Sequence, residues 1–386
     1  MFKQSYKNNI GLLGATEFFA FFGITSFWLL FLSQNGMSLL EIGLLESLFH
    51  ATSLLSEVPS GILADRFSYK SNLYLSRLTA ILSAVLMLQG QGSFVIYALG
   101  MVVGAWSYNF DSGTSSAMLF ESAKEAGLED KYLKFSSYIL ALGEATRAIG
   151  MVLAGFLIHG FLDVTYYIQI LLSCIALVFV FLMKEPNIKL EQENPATIKV
   201  ILQTVRENIK SNPKLLKWII VSNTLLTLVT MFYFYYQNEM IRFKSWQVSL
   251  MMLCSSLVNI LAVWLASKIG YKWQAKTIFL KVIPLCALFL LLAWTANPSI
   301  YILIFILSDG LVAFFFPIFN NNLQEEIETS VRATMLSVSA MIGSFAMIVI
   351  FPLTGFLIDH FGFSTTFFAL GIALLLSSMA LPKLIT

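Results

Sequence analysis

The chain has 386 residues, 58% of them hydrophobic and only 12% charged, with a formal net charge of +2. That balance excludes a soluble enzyme and a basic nucleic-acid binder, and it requires a bilayer as solvent. Alternation of apolar and polar residues at period two is absent, so helices rather than barrel strands are expected to span.

A spanning helix needs about 20 mostly apolar residues. Windows of that kind cover 9–33, 40–64, 73–91, 94–120, 134–158 and 162–183, then 214–239, 246–267, 276–294, 298–322, 332–358 and 363–382. The sequence therefore predicts an all-α integral membrane protein with twelve transmembrane helices. Turn-forming junctions separate the windows, as at Gln34-Asn35-Gly36, Gln89-Gly90-Gln91-Gly92 and Asn297-Pro298. The first window is too long for a removable signal peptide and lacks a small-residue cleavage site. Cys174, Cys254 and Cys286 fall inside predicted spans and read as small buried hydrophobes without disulfide or metal spacing.

Charge placement sets the expected orientation. Lys3, Lys7, Arg66, Lys70, Lys124, Lys131, the segment from Lys184 to Lys217, Lys268, Lys272, Arg332 and Lys383 all fall on the side of the termini, against Arg242 and Lys244 on the other. The positive side is cytoplasmic, so both termini are expected there.

The chain also repeats itself in parallel. Gly155-Phe156-Leu157-Ile158-His159 after span five reads against Gly355-Phe356-Leu357-Ile358-Asp359 after span eleven, and Gln34-Asn35 reads against Gln237-Asn238. Arg66-Phe67-Ser68-Tyr69-Lys70 has its shadow in Lys268-Ile269-Gly270-Tyr271-Lys272. Two six-helix pseudo-repeats follow, with bundles at 1–183 and 214–386. The cytoplasmic linker at 184–213 begins hydrated, and Ile198, Ile201, Leu202, Val205 and Ile209 then predict a short interfacial helix.

The stretch Gly61-Ile62-Leu63-Ala64-Asp65-Arg66-Phe67-Ser68-Tyr69-Lys70 resembles the loop signature of the major facilitator superfamily. Ser68 and Tyr69 stand where that signature has Gly and Arg. The resemblance implies a cytoplasmic gate in which Asp65 contacts the end of span eleven when the carrier faces outward. Gly61, Arg66, Lys70 and Arg77 would hold the gate loop, with Glu57 shaping the adjoining helix end. Glu57-Val58-Pro59-Ser60-Gly61, Asp111-Ser112-Gly113-Thr114 and Arg332-Ala333-Thr334 are similar to a bacterial branch populated largely by drug/proton antiporters. Gly150-Met151-Val152-Leu153-Ala154-Gly155 resembles the Gly-Pro-x-x-Gly-Gly element of proton-driven exporters, without its Pro and one Gly.

Charges within spans point to mechanism, because burying them in hydrocarbon is costly unless they meet a cavity or a partner. Counted inward from the cytoplasmic helix ends, Glu17, Glu57, Asp111 and Glu144 all lie about 10–15 Å deep. Arg147 is three residues from Glu144 and can neutralise it. Asp111 is a candidate for proton coupling or substrate binding, and Asp309 on span ten is its candidate counterpart. The aromatic runs Phe18 to Phe22, Phe232 to Tyr236 and Phe314 to Phe316 suit cationic or hydrophobic guests.

These features, with the resemblance, lead to a multi-pass carrier in a bacterial plasma membrane. It is expected to act as a monomer, exporting a small organic substrate in exchange for protons, as multidrug resistance carriers do. A narrow metabolite exporter or a proton-coupled uptake symporter of the same fold is the alternative. No nucleophile, metal cluster or phosphate loop stands at a membrane face, so enzymatic activity is not expected. No cofactor is expected either, the proton gradient supplying the energy.

Overall fold

The computed structural model describes residues 4–66, 68–186, 213–327 and 332–385, with the backbone alone at 58–66, 271, 333–334 and 383–385. Among these residues the chain is helical, without strands, in fourteen α-helices joined by short turns. Ten helices are long and apolar enough to cross a membrane, and a bent pair makes an eleventh span. That pair is α1 (Tyr6–Ala20) and α2 (Trp28–Gln34), which together form span one. Spans two and three are α3 (Leu39–Arg66) and α4 (Tyr69–Gln89). Span four is split into α5 (Phe94–Asp111) and α6 (Thr114–Glu125), and its polar Tyr-Asn-Phe-Asp centre weakens its apolar signal. Spans five to eight are α7 (Tyr132–Gly155), α8 (Leu162–Leu182), α9 (Pro213–Glu239) and α10 (Ser245–Ile269). The remaining four are α11 (Ala275–Leu291), α12 (Pro298–Glu326), α13 (Arg332–Phe361) and α14 (Phe363–Ile385). The interfacial helix expected at 198–209 lies outside the described residues.

Helix ends follow local chemistry. Ser5 accepts from Asn8 N–H at the start of α1, and Asn297 accepts from Ser299 N–H with Pro298 in the first turn of α12. Ser38 and Glu41 form a capping box on α3: Glu41 takes the Ser38 N–H at 2.9 Å and Ser38 Oγ takes the Glu41 N–H at 3.2 Å.

By contacts the chain divides into two compact units. One comprises Met1–Met37, Leu48–Glu191 and Phe243–Met252; the other comprises Ser38–Ser47, Gln192–Arg242 and Leu253–Thr386. The stretches Ser38–Ser47 and Phe243–Met252 therefore group differently from the linear division into 1–183 and 214–386. Within the second unit Asp359 explains the first of these. Its carboxylate accepts from Leu39 N–H at 3.2 Å and Leu40 N–H at 2.8 Å, which completes the cap of α3. Gly355, one turn earlier on α13, has no room for a Cβ because the Leu39 carbonyl occupies the space. Within the first unit the repeat-equivalent residues meet the start of α10 by a different bond: His159 Nε2 donates to the Phe243 carbonyl at 2.8 Å, and Gly155 abuts the Ser249 backbone. Asp359→Ala should cost about 1 kcal/mol, the usual loss on removing a helix cap. An unchanged melting temperature for that variant would refute the capping role.

The first unit's core gathers Leu12, Leu13, Leu73, Met118, Leu119 and Val180. In the second, aromatic rings dominate: Phe232 packs edge-on to Phe367 at 4.8 Å, and Trp218 packs edge-on to Phe279 at 5.0 Å. Phe232, Tyr235 and Tyr236 are almost wholly buried. Of the run expected to line a guest cavity, Tyr235 and Tyr236 serve as core, while Phe232, Tyr233 and Phe234 border a cavity of this unit.

Candidate functional site

Two broken spans build the site. α1 stops at Ala20, a short 3₁₀ turn runs through Gly23–Thr25, and span one bends by 40° before α2 begins. α5 stops at Asp111, and Gly113 turns the backbone with φ +81°, a conformation natural only to glycine, before α6 resumes at Thr114. Irregular backbone at membrane depth is tolerated where it is buried in protein or lines a cavity. Both breaks border one cavity of about 350 Å³ in the first unit, whose lining includes Phe21, Thr25, Arg77, Tyr108, Asp111 and Gln169.

Arg77 and Asp111 are the charged groups of that lining. The Arg77 guanidinium lies 3.6 Å from Asp111 Oδ2, and the two side chains are only 5% and 8% exposed. Ser115 Oγ donates to Asp111 Oδ1 at 2.9 Å across the break, and Arg77 donates to Ser76 Oγ at 2.7 Å. The Arg77 group also lies 6.0 Å from the centre of the Phe21 ring. Arg77 Nε is buried without a hydrogen-bond partner, so the cation is not fully satisfied by the protein.

Polar clasps hold these helices in register. Ser76 Oγ donates to the Ser107 carbonyl and Ser107 Oγ returns a bond to the Ser76 carbonyl, both at 2.8 Å, joining α4 to α5. Asn109 donates to the Ser53 carbonyl and Ser56 Oγ, both at 2.7 Å, and accepts from Ser53 Oγ, joining α5 to α3. Buried and mutually satisfied groups of this kind fix the site rather than offering it a ligand contact.

The other predicted site residues divide. Glu17 lies within electrostatic reach of Asp111, Arg77, Arg147 and Glu144, and its carboxylate faces the bare Gly143, where a Cβ would stand 3.1 Å from Oε1. Glu144 and Arg147 pair at 3.3 Å, with side chains 60% and 50% exposed. Three of the four acids counted into one layer thus form one electrostatic group, with Asp111 and Glu144 both in reach of Glu17. Asp309 belongs to the second unit and borders a separate cavity of about 160 Å³.

Of the gate loop, the side chains of Gly61, Asp65 and Arg66 lie outside the described residues. Lys70 donates to the carbonyls of Phe181 and Met183 at 2.7 and 2.8 Å, capping the C-terminus of α8. Glu185 accepts the Tyr69 and Lys70 backbone N–H groups, both at 2.9 Å, at the start of α4. Arg77, grouped with the gate by sequence, stands with Asp111 instead. Depth counting, applied above to acids alone, carries the signal that was missed: Arg77 is eight residues into α4, about 12 Å along it, in the acids' own layer.

A buried carboxylate beside a guanidinium, at the rim of an aromatic-lined cavity, can exchange its partner. It can hold the arginine, a proton or a cationic guest, while the arginine can donate to an anionic or hydroxylated one.

The family model described as the Major Facilitator Superfamily matches residues 10–351 and 243–385. The uncharacterized MFS-type transporter YxaM of Bacillus subtilis (strain 168) is 24% identical over 186 residues, 46% of this chain and 45% of that protein. The chain thus spans a little under half the length of that curated relative. Among solved structures, the nucleoside transporter NupG superposes with a TM-score of 0.77 at 15% identity, over 98% of this chain and 99% of that one. A D-xylose-proton symporter superposes with a TM-score of 0.69 at 14% identity, over 99% of this chain and 98% of that one. At these identities the structural likeness is one of fold.

Proposed function

Because the chain belongs to the major facilitator superfamily, we propose that it is a secondary carrier for a small organic molecule. It works by alternating access in a bacterial plasma membrane, as a monomer with both termini in the cytoplasm. Its direction is export of hydrophobic or cationic compounds in exchange for protons. The observation that carries this reading is the buried Arg77–Asp111 pair at the meeting of two broken spans. A proton and a cationic substrate compete for the Asp111 carboxylate, and Arg77 re-pairs with it when neither is bound. Glu17, with Glu144 and Arg147 in reach, relays protons towards the same layer. Asp65 is the gate residue, with Gly61, Arg66, Lys70 and Glu57 building its loop.

A second reading has its own observation. The incompletely satisfied Arg77 guanidinium suits a hydroxylated or anionic guest as well, which a proton-coupled uptake symporter or a narrow exporter would carry. Ethidium accumulation in energised cells separates the two. Cells making the protein should accumulate less ethidium than cells without it, and a protonophore should erase the difference. Equal accumulation, with the protein confirmed in the membrane, would exclude broad cation export and favour the second reading.

A further inference from the structure

The second unit holds a carboxylate, Asp309, with no cationic partner among the described residues. Asp309 of α12 accepts at Oδ2 from Ser255 Oγ at 2.9 Å and Asn259 Nδ2 at 2.7 Å, both from α10. No salt bridge to Asp309 occurs among the described residues. An uncompensated carboxylate at membrane depth is costly. Among the described residues no cation balances it, so its charge is met by a proton or by an ion from outside the chain.

Uncommitted oxygens accompany it. Asn259 Oδ1 is buried without a hydrogen-bond partner, although its own amide nitrogen is spent on Asp309. Ser308, next to Asp309 in sequence and only 3% exposed, also has a buried Oγ without a partner. That is unlike Thr16, Ser47, Ser222 and Thr354, whose hydroxyls donate to the carbonyl four residues back. Ser308 and Asp309 both line the cavity of about 160 Å³, together with Thr230 and the rings of Tyr233 and Phe305. Asp309 and Ser308 thus present oxygens without donors among the described residues to one cavity, while Asn259 stands behind the carboxylate rather than in the lining.

Hard cations take oxygen ligands, here carboxylate and hydroxyl. A single carboxylate balances a single positive charge, and a divalent ion would leave an excess that hydrocarbon penalises. We infer that Asp309 and Ser308, with Thr230 on the same cavity wall, form a binding site for a monovalent alkali cation, with Ser255 and Asn259 orienting the carboxylate. The site is distinct from the Asp111 cavity and does not depend on which way the carrier works.

The test is thermal unfolding of the purified full-length protein in detergent, with sodium chloride titrated against choline chloride at constant ionic strength. Sodium should raise the melting temperature saturably where choline does not. The rise should vanish in Asp309→Asn, persist in Asp111→Asn, and need about tenfold more sodium in Ser308→Ala, as when a metal site loses one supporting group. Ser308→Ala keeps the carboxylate and decides the matter should Asp309→Asn fail to fold. An equal response to choline, a sodium response unchanged in Ser308→Ala, or melting that follows pH through Asp309 while ignoring sodium would each overturn the site. The last outcome would assign Asp309 a proton instead.

Discussion

Asp111→Ala is expected to abolish coupled transport and to destabilise the protein by about 3–5 kcal/mol, the range for removing one partner of a buried ion pair. The size follows from what remains. Arg77 is 4% exposed, and its Nε already lacks a partner. Without Asp111 it would be a buried cation whose direct contacts among the described residues are Ser76 Oγ and the face of Phe21, with Glu17 the remaining acid in electrostatic reach. Asp111→Asn should cost less, since the amide oxygen can still accept from Ser115 and still turns a partial negative charge to the guanidinium.

The double variant Arg77→Met with Asp111→Leu separates structure from function. Replacing both charges with apolar groups of similar volume commonly restores stability. Its melting temperature should recover most of the loss while transport stays absent. If Asp111→Ala melted like the parent, the pair would carry no structural weight. If the apolar double variant still transported against a proton-dependent gradient, both residues would leave the mechanism.

Gly150→Leu should be among the most damaging single changes outside the charged site. α7 crosses the break in span one there, and a Cβ on Gly150 would enter the backbone of Gly23. The contact is reciprocal, because a Cβ on Gly23 would strike the Arg147 carbonyl. Small residues that let helices approach this closely are a principal means of packing in membranes, where apolar burial between helices contributes little. Gly150→Ala should already cost about 1–3 kcal/mol by overpacking. The leucine variant should accumulate poorly or elute as aggregate on size-exclusion chromatography, whereas Gly11→Ala, with nothing near its Cβ, should remain monodisperse. A well-folded Gly150→Leu would show that the crossing yields without loss. The same crossing bears on the exporter-like stretch at 150–155. Gly150 and Gly155 each have a packing reason to be glycine, so those residues alone are no argument for proton exchange.

The helical architecture was legible in the chain because its cause is one-dimensional. Hydrocarbon satisfies no backbone group, so each span declares itself as an unbroken apolar window of the right length, and junctions such as Asn297-Pro298 mark where it ends. The family followed from a contiguous ten-residue loop, and the Glu144–Arg147 pair from helical spacing within a single element. What required tertiary structure was every partnership between helices. Arg77 and Asp111 are 34 residues apart on α4 and α5, and nothing in their spacing shows that their side chains turn to the same cavity. Asn259 and Asp309 are 50 residues apart, and Asp359 reaches α3 across 319 and 320 residues. The rotation of each helix about its own axis decides these contacts, and it is set by close crossings such as Gly23 on Gly150 rather than by hydropathy, which is nearly uniform around helices surrounded by lipid and protein.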